Sequence, residues 1–86
     1  MPAPGILEQV RGLTFAGRWH VDRRHGEPRM RERGLTYADV EHGLLHASAG
    51  QLQDNGRWKL NSDDLDGDEL TLIVHVDDEV LVVTLF

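Results

Sequence analysis

The sequence has no cysteine among its 86 residues. This absence excludes a disulfide framework and any metal site built on thiolates. No apolar run approaches the roughly 18 residues that a membrane-spanning helix needs, and the N-terminus lacks the basic segment and apolar core of a signal peptide. We therefore expect a cytoplasmic protein with no membrane association.

Positive charge is missing from the last third of the chain. Residues 60–86 contain eight acids and no lysine or arginine, and the net charge of the whole sequence is −6. An acidic field opposes binding to a phosphate backbone. Six of the nine basic residues, however, lie between positions 18 and 33. This separation of charge indicates a phosphate-binding surface or a partner of opposite charge, and a solvated basic helix beside an acidic sheet edge explains it equally well.

The first half of the chain has the apolar spacing of helices. A first helix begins after the leader MPAPG and ends before Gly17, and PRMRER forms a short second helix between Pro28 and Gly34. A variant capping box, Thr36 with Asp39, starts a longer helix that runs to Ala47 and ends at Gly50. The inward stripe of this helix is predicted to be Tyr37, Val40, Leu44 and Ala47.

The second half of the chain reads as sheet. Asn55-Gly56 is typical of a two-residue hairpin turn, and the segments ELTLIVHV and VLVVTLF have the apolar residues of central strands. RWHVD alternates like a short strand or an extended segment. The prediction is an α+β domain over residues 6–86, after a flexible leader at 1–5, with two to three N-terminal helices packed on a three- to four-stranded antiparallel β-meander.

His25, Arg29 and Arg33 recur at intervals of four residues. On a helix extended back to His25 they would share one face, with an imidazole that titrates near neutral pH beside two guanidinium groups. Such a set suits a phosphodiester, because histidine can move a hydroxyl proton and arginine can stabilise charge on phosphorus. The alternative is that the arginines pair with Glu27, Glu32 and the acidic sheet while His25 fixes its loop.

Thr84 lies among apolar neighbours of the last predicted strand. A buried hydroxyl at this position would need a hydrogen-bond partner. We interpret Thr84 either as a β-branched residue that favours a strand or as a residue lining a site that faces His25.

Two patterns have the spacing of metal ligands. His42 and His46 are four residues apart, but they lie opposite the core stripe and lack a third ligand, so an exposed pair is the better interpretation. In SDDLDGDEL, residues 62, 64 and 66 fit the first positions of a calcium loop, but Ile73 stands where a bidentate glutamate is required. A turn with Asp66-Gly67 at positive φ explains this segment more simply. We expect no metal and no cofactor.

Residues 19–86 resemble a family of small bacterial domains known as domain of unknown function 4258. The resemblance depends on fixed spacings at His25, Arg29-Met30, Arg33-Gly34-Leu35-Thr36 and Asp39-Val40, on DLDGDELTLIV, and on an apolar-Thr-apolar triplet around Thr84. It implies a fold similar to the RelE and barnase-like toxin ribonucleases, with the polar residues converging on one sheet face. Gly26 stands where the family usually has alanine, and glycine there is expected to loosen the segment that carries His25.

Two functions are consistent with these residues. In the first, the protein is an RNA-directed toxin of toxin–antitoxin type, either a ribonuclease or a degenerate relative that only binds RNA. His25 is then the general acid or base, Arg29 and Arg33 stabilise the phosphate and Thr84 orients it. Further phosphate contacts come from Arg23, Arg24 and Arg31.

In the second function, the protein is a non-catalytic interaction or regulatory module whose basic helix binds an acidic protein partner or an antitoxin. A third hypothesis is self-association, as a dimer, through an edge strand that the meander leaves exposed.

Overall fold

The computed structural model describes residues 5–86. Three helices and five strands occur in this range. They are α1 (Ile6–Phe15), β1 (Trp19–Val21), α2 (Gly26–Arg33), α3 (Tyr37–His46), β2 (Ala49–Leu52), β3 (Trp58–Asp63), β4 (Glu69–Val76) and β5 (Val80–Leu85). The predicted leader lies outside the described residues, apart from Gly5.

The sheet has the strand order β1-β5-β4-β3-β2. Strands β2 to β5 pair antiparallel in chain order, whereas β1 pairs with β5 in parallel. The α+β class is confirmed, but within residues 5–86 the sheet has one strand more than predicted and is mixed. The difference arises because RWHVD forms a true strand that joins the far edge of the sheet beside β5.

The core lies between one face of the sheet and the helices. Alternate residues of β3, β4 and β5 point into it, and Leu60, Leu72 and Val82 are fully buried. From the helices, Val10 and Val40 meet them with no exposed surface. Truncating one such buried leucine to alanine typically costs about 2–5 kcal/mol. The remaining strand residues point to the opposite face of the sheet and stay partly or fully exposed.

A β-bulge interrupts the pairing of β4 with β5. Ile73 pairs with Thr84, but the next residue, Val74, pairs with Val82, so that Val83 is an extra residue in β5. The bulge shifts the alternation by one residue, and Val82 and Leu85 can therefore both be buried in the core. A bulge re-aims the side chains next to it, and Val83 and Thr84 are left half-buried outside the core.

Helix α3 begins with the predicted capping box. The Thr36 hydroxyl accepts a hydrogen bond from the Asp39 backbone N–H, and the Asp39 carboxylate accepts one from the Thr36 backbone N–H. Of the predicted inward stripe, Val40, Leu44 and Ala47 are buried, but the placement of Tyr37 was wrong, since 52% of it is exposed. Tyr37 is the first residue of α3, and its ring lies against Trp19 instead of entering the core.

Helix α2 begins at Gly26, two residues earlier than predicted, so Pro28 falls in its first turn, where no backbone N–H is required. The expectation that Gly26 loosens this segment was wrong. Gly26 is buried, and a Cβ there would lie 2.5 Å from Val21 Cγ1 and 3.1 Å from the Val82 carbonyl oxygen. The glycine allows α2 to pack directly on β5, and this contact fixes the position of His25 at the helix N-terminus.

Two turn predictions need correction. Gly50 does not end α3, which stops at His46, but lies in β2, where it packs against Ile6 and Leu60. The Asn55-Gly56 turn is a longer loop than predicted. The Gln53 backbone N–H donates to the Arg57 carbonyl oxygen and the Gly56 N–H donates to the Gln53 carbonyl oxygen, and of Asn55 and Gly56 only the glycine has positive φ. The turn predicted at Gly67 is confirmed, with φ of 84°.

Asp39 is expected to make the fold sensitive to acid. Its carboxylate also accepts a hydrogen bond from the Leu65 backbone N–H, and the bonds from Thr36 and Leu65 lower the pKa of Asp39 below its ordinary value. A carboxylate with a lowered folded-state pKa stabilises fully above the unfolded-state pKa of about 3.9 and loses this contribution as the pH falls through the folded-state value. The decline in unfolding free energy below about pH 4 should be shallower in Asp39→Asn than in the wild type. Chemical denaturation at a series of pH values measures it, and parallel declines would contradict the role of Asp39.

Candidate functional site

A cleft of about 380 Å³ lies between the N-terminal half of α2 and the bulge of β5. We call it the arginine cleft. Its lining consists of Arg24, His25, Pro28, Arg29, Glu32, Arg57, Val83 and Thr84. Three residues that the sequence nominated as catalytic, His25, Arg29 and Thr84, thus line one site.

His25 is oriented by Asp22. The backbone N–H of His25 donates to Asp22 Oδ2 over 2.9 Å, and Nδ1 of its ring lies 3.0 Å from the same oxygen. Both hydrogen bonds lower the pKa of Asp22, so its carboxylate is ionised at neutral pH and can only accept. Nδ1 must therefore carry the proton, which leaves Nε2 as the nitrogen available to a ligand.

Asp22 is a site residue that our sequence analysis did not identify. The pattern D-R-R-H at positions 22–25 contains the signal, because a carboxylate three residues before a histidine can cap the turn that presents it. The carboxylate fixes both the backbone and the tautomer of His25. This is the orienting role that a third group has in acid–base sites.

Three arginines line the cleft with one glutamate, Glu32, which gives a lining charge of 3 − 1 = +2 with His25 neutral. Asp22 beside His25 reduces the local surplus to +1. Arg29 Nε lies 4.0 Å from Glu32 Oε2, and both side chains are more than half exposed, so this ion pair is weak and can be exchanged for an anionic ligand. The cleft is a local excess of positive charge in an acidic protein.

Arg57 is the second site residue that the sequence analysis missed. It precedes Trp58, which pairs with Val74, and Val74 pairs with Val82 at the bulge. The register of three strands therefore brings Arg57 to the cleft, although it lies far from the basic segment in sequence. We find no local pattern that indicates this position.

Arg33 does not line the cleft. One of its guanidinium nitrogens donates to the Glu69 carbonyl oxygen over 3.0 Å, at the start of β4. At 100° per residue, a position eight residues after His25 is displaced by about 80° around the helix and lies two turns further along it. Arg33 therefore connects α2 to the sheet, and the geometry separates it from His25 and Arg29.

The predicted phosphate-binding residues are divided among three surfaces. Arg24 lines the arginine cleft, whereas Arg31 lines a shallow pocket with Met30 and Leu35.

Arg23 lines a further pocket of about 650 Å³. We call this the aromatic pocket, and its lining is Trp19, His20, Val21, Asp22, Arg23, Glu27, Tyr37 and Leu81. In it the Tyr37 hydroxyl donates to Glu27 Oε1, and this bond raises the pKa of Tyr37.

The two patterns with metal-ligand spacing have local structural partners. The rings of His42 and His46 are in contact, with centroids 4.3 Å apart and planes inclined at 33°, and His42 Nε2 lies 3.5 Å from Asp63 Oδ1. In the acidic turn, Asp64 Oδ1 accepts from the backbone N–H groups of Asp66 and Asp68. These contacts stabilise the α3 surface and the turn between β3 and β4.

Comparison of the chain with protein-family models, with curated proteins and with solved structures finds no match. Within residues 5–86, no helix has the length and apolar character needed to cross a membrane. The chemistry of the arginine cleft is therefore the basis for a functional assignment.

Proposed function

We propose that this protein is an RNA-directed ribonuclease of toxin type that cleaves single-stranded RNA in the arginine cleft. The observation that carries the proposal is the shared lining: an imidazole oriented by a carboxylate lies in the same cleft as three guanidinium groups and a hydroxyl. A phosphodiester needs both a group that moves protons and fixed positive charge. The arginine cleft supplies both.

In the proposed reaction, the 2′-oxygen of a ribose attacks the adjacent phosphorus. Nε2 of His25 takes the 2′-hydroxyl proton while the bond from phosphorus to the 5′-oxygen of the next nucleotide breaks. Water protonates the leaving 5′-oxygen, and the resulting hydroxide takes the proton back from His25. The products are a 2′,3′-cyclic phosphate and a 5′-hydroxyl end. Arg29 and Arg57 stabilise the added negative charge on the phosphate oxygens, and Thr84 donates a hydrogen bond that orients one of them.

The sequence resemblance to domain of unknown function 4258 is consistent with this proposal. We extend it to the fold: the layer of helices on one side of a sheet, with the polar cleft at the bulged strand β5, is proposed to be a RelE-like or barnase-like arrangement. Small toxins of that kind act with an antitoxin, and an acidic antitoxin segment would compete with RNA for the same guanidinium groups.

Arginines 29 and 33 provide a matched test of the cleft. Each substitution by alanine removes one positive charge from α2, so any diffuse electrostatic effect is the same in both. Arg29→Ala should weaken binding to a single-stranded RNA oligomer by about tenfold, whereas Arg33→Ala should leave binding nearly unchanged. Fluorescence anisotropy at low salt, with a 2′-O-methyl oligomer that cannot be cleaved, measures both dissociation constants.

Binding of wild-type protein should also weaken with salt, and Arg29→Ala should reduce that slope by about 0.7 for a single strand. Equal weakening by both substitutions would refute a localised phosphate site. It would favour the alternative in which the whole basic helix binds an acidic protein. Failure of the wild type to bind RNA at low salt would refute the proposed function itself.

A further inference from the structure

The arginine cleft and the aromatic pocket are neighbours along the chain but differ in charge. Arg23 lines the aromatic pocket and Arg24 lines the arginine cleft, and consecutive Cα atoms are about 3.8 Å apart. In the aromatic pocket one arginine is opposed by Asp22 and Glu27, a lining charge of 1 − 2 = −1 with His20 neutral. A phosphate is repelled from this pocket and attracted to the cleft, whereas a neutral ring can enter the pocket.

Two aromatic side chains of the pocket can hold such a ring. The rings of Trp19 and Tyr37 have centroids 6.4 Å apart and planes inclined at 58°, and about half of Tyr37 is exposed. Proteins that bind single-stranded RNA stack its unpaired bases on exposed aromatic side chains. The exposed half of the Tyr37 side chain is therefore accessible to such a base.

Glu27 is placed to recognise the edge of a stacked base. Its Oε1 accepts a hydrogen bond from the Tyr37 hydroxyl, which holds the carboxylate beside the aromatic rings, and the carboxylate has Oε2 as a second acceptor atom. A carboxylate can only accept hydrogen bonds, so it pairs with an exocyclic amino group such as N4 of cytosine. The corresponding O4 of uracil is an acceptor, so uracil offers the carboxylate only its N3–H, which lies between two carbonyl oxygens that the carboxylate repels.

We propose that the aromatic pocket binds one base of the RNA whose phosphate occupies the arginine cleft, and that Glu27 selects a base with an exocyclic amino group over uracil. The connection to RNA rests on the proposed function. The base selectivity rests on the pocket alone, so that the two can fail separately. Asp22 lines the aromatic pocket and its Oδ2 lies 3.0 Å from Nδ1 of His25 in the arginine cleft, so the two sites are adjacent.

The test uses cytidine and uridine 5′-monophosphates, which differ at the base only in the amino group and the oxygen of position 4 and in the protonation of the adjacent ring nitrogen. Titration of the ¹⁵N-labelled full chain follows the indole N–H resonance of Trp19, with Trp58→Phe to assign the two indole signals. We expect the cytidine nucleotide to shift the Trp19 resonance and to bind about tenfold more tightly than the uridine nucleotide. Glu27→Gln should abolish the preference, because an amide can also donate to O4.

Glu41→Gln is the control, since it removes the same charge from an exposed position of α3 that lines neither the aromatic pocket nor the arginine cleft, and it should leave the preference intact. Equal affinity for the two nucleotides, or an unchanged Trp19 resonance, would overturn the base pocket even if the protein cleaves RNA. If the cytidine preference is found but RNA is neither bound through Arg29 nor cleaved, the base pocket is supported and the proposed function is refuted.

Discussion

Replacing His25 with alanine should lower the rate of RNA cleavage by about 10²- to 10⁴-fold, the usual contribution of a positioned general acid or base. The loss is expected in the chemical step and not in binding, because the arginines of the cleft remain. Single-turnover cleavage of a labelled RNA oligomer measures the first quantity, and anisotropy with an uncleavable oligomer measures the second. Thermal stability should be unchanged, since 70% of the His25 side chain is exposed.

His75→Ala is the matched control for His25, because His75 is an exposed histidine of β4 that does not line the arginine cleft. It should cleave RNA at the wild-type rate. Asp22→Asn is expected to give an intermediate loss, since it retains the imidazole but removes the ionised acceptor that fixes the Nδ1–H tautomer. Cleavage at an undiminished rate by His25→Ala would show that the imidazole is not the proton-transfer group, and the proposed mechanism would be refuted.

Gly26→Val should destabilise the fold by about 3 kcal/mol, near the upper end of the effect of overpacking a tight contact. For a domain of this size that corresponds to a fall of about 12–24 °C in melting temperature. The physical reason is that the added atoms meet Val21 and the Val82 carbonyl, so α2 must move away from β5. His25 and Arg29 move with α2, and RNA cleavage should fall together with stability.

Gly12→Val tests whether the effect at Gly26 is steric. Gly12 also lies within a helix, but a Cβ there has no atom within 4 Å. Valine has the higher helix propensity, so this variant should be unchanged or slightly stabilised, by up to about 0.5 kcal/mol. Thermal unfolding of the two variants by circular dichroism gives the comparison. Equal melting temperatures would mean that α2 can shift without cost, and the close contact would lose its role in placing His25.

The parts of the structure that the sequence predicts are those determined by neighbouring residues. The Thr36–Asp39 capping box depends on two side chains three residues apart, and the turn at Gly34 depends on one residue in the left-handed region, with φ of 66°. His25 and Arg29 are likewise one helical turn apart, so their common face follows from spacing. The sequence alone therefore predicts that these two side chains lie close together.

The parts that the sequence does not predict depend on strand register. The segment VLVVTLF does not indicate that Val83 is an extra residue, yet this bulge turns Thr84 toward the cleft. Arg57 reaches the same place only because β3, β4 and β5 are aligned in one particular way. Arg33 lies outside the cleft for another reason. Eight residues at 100° each exceed two full helical turns by about 80°, so residues that recur at every fourth position do not stay on one face of the helix.

The parallel pairing of β1 with β5 has a consequence for biosynthesis. A nascent chain that has emerged from the ribosome only as far as β4 contains His25 and Arg29 but lacks the strand on which α2 packs. Contacts between residues distant in sequence form late in folding because the intervening loop must first be closed. Translation thus completes the arginine cleft only after Val83 and Thr84 have been added, and the proposed ribonuclease has no complete site until β5 has been synthesised.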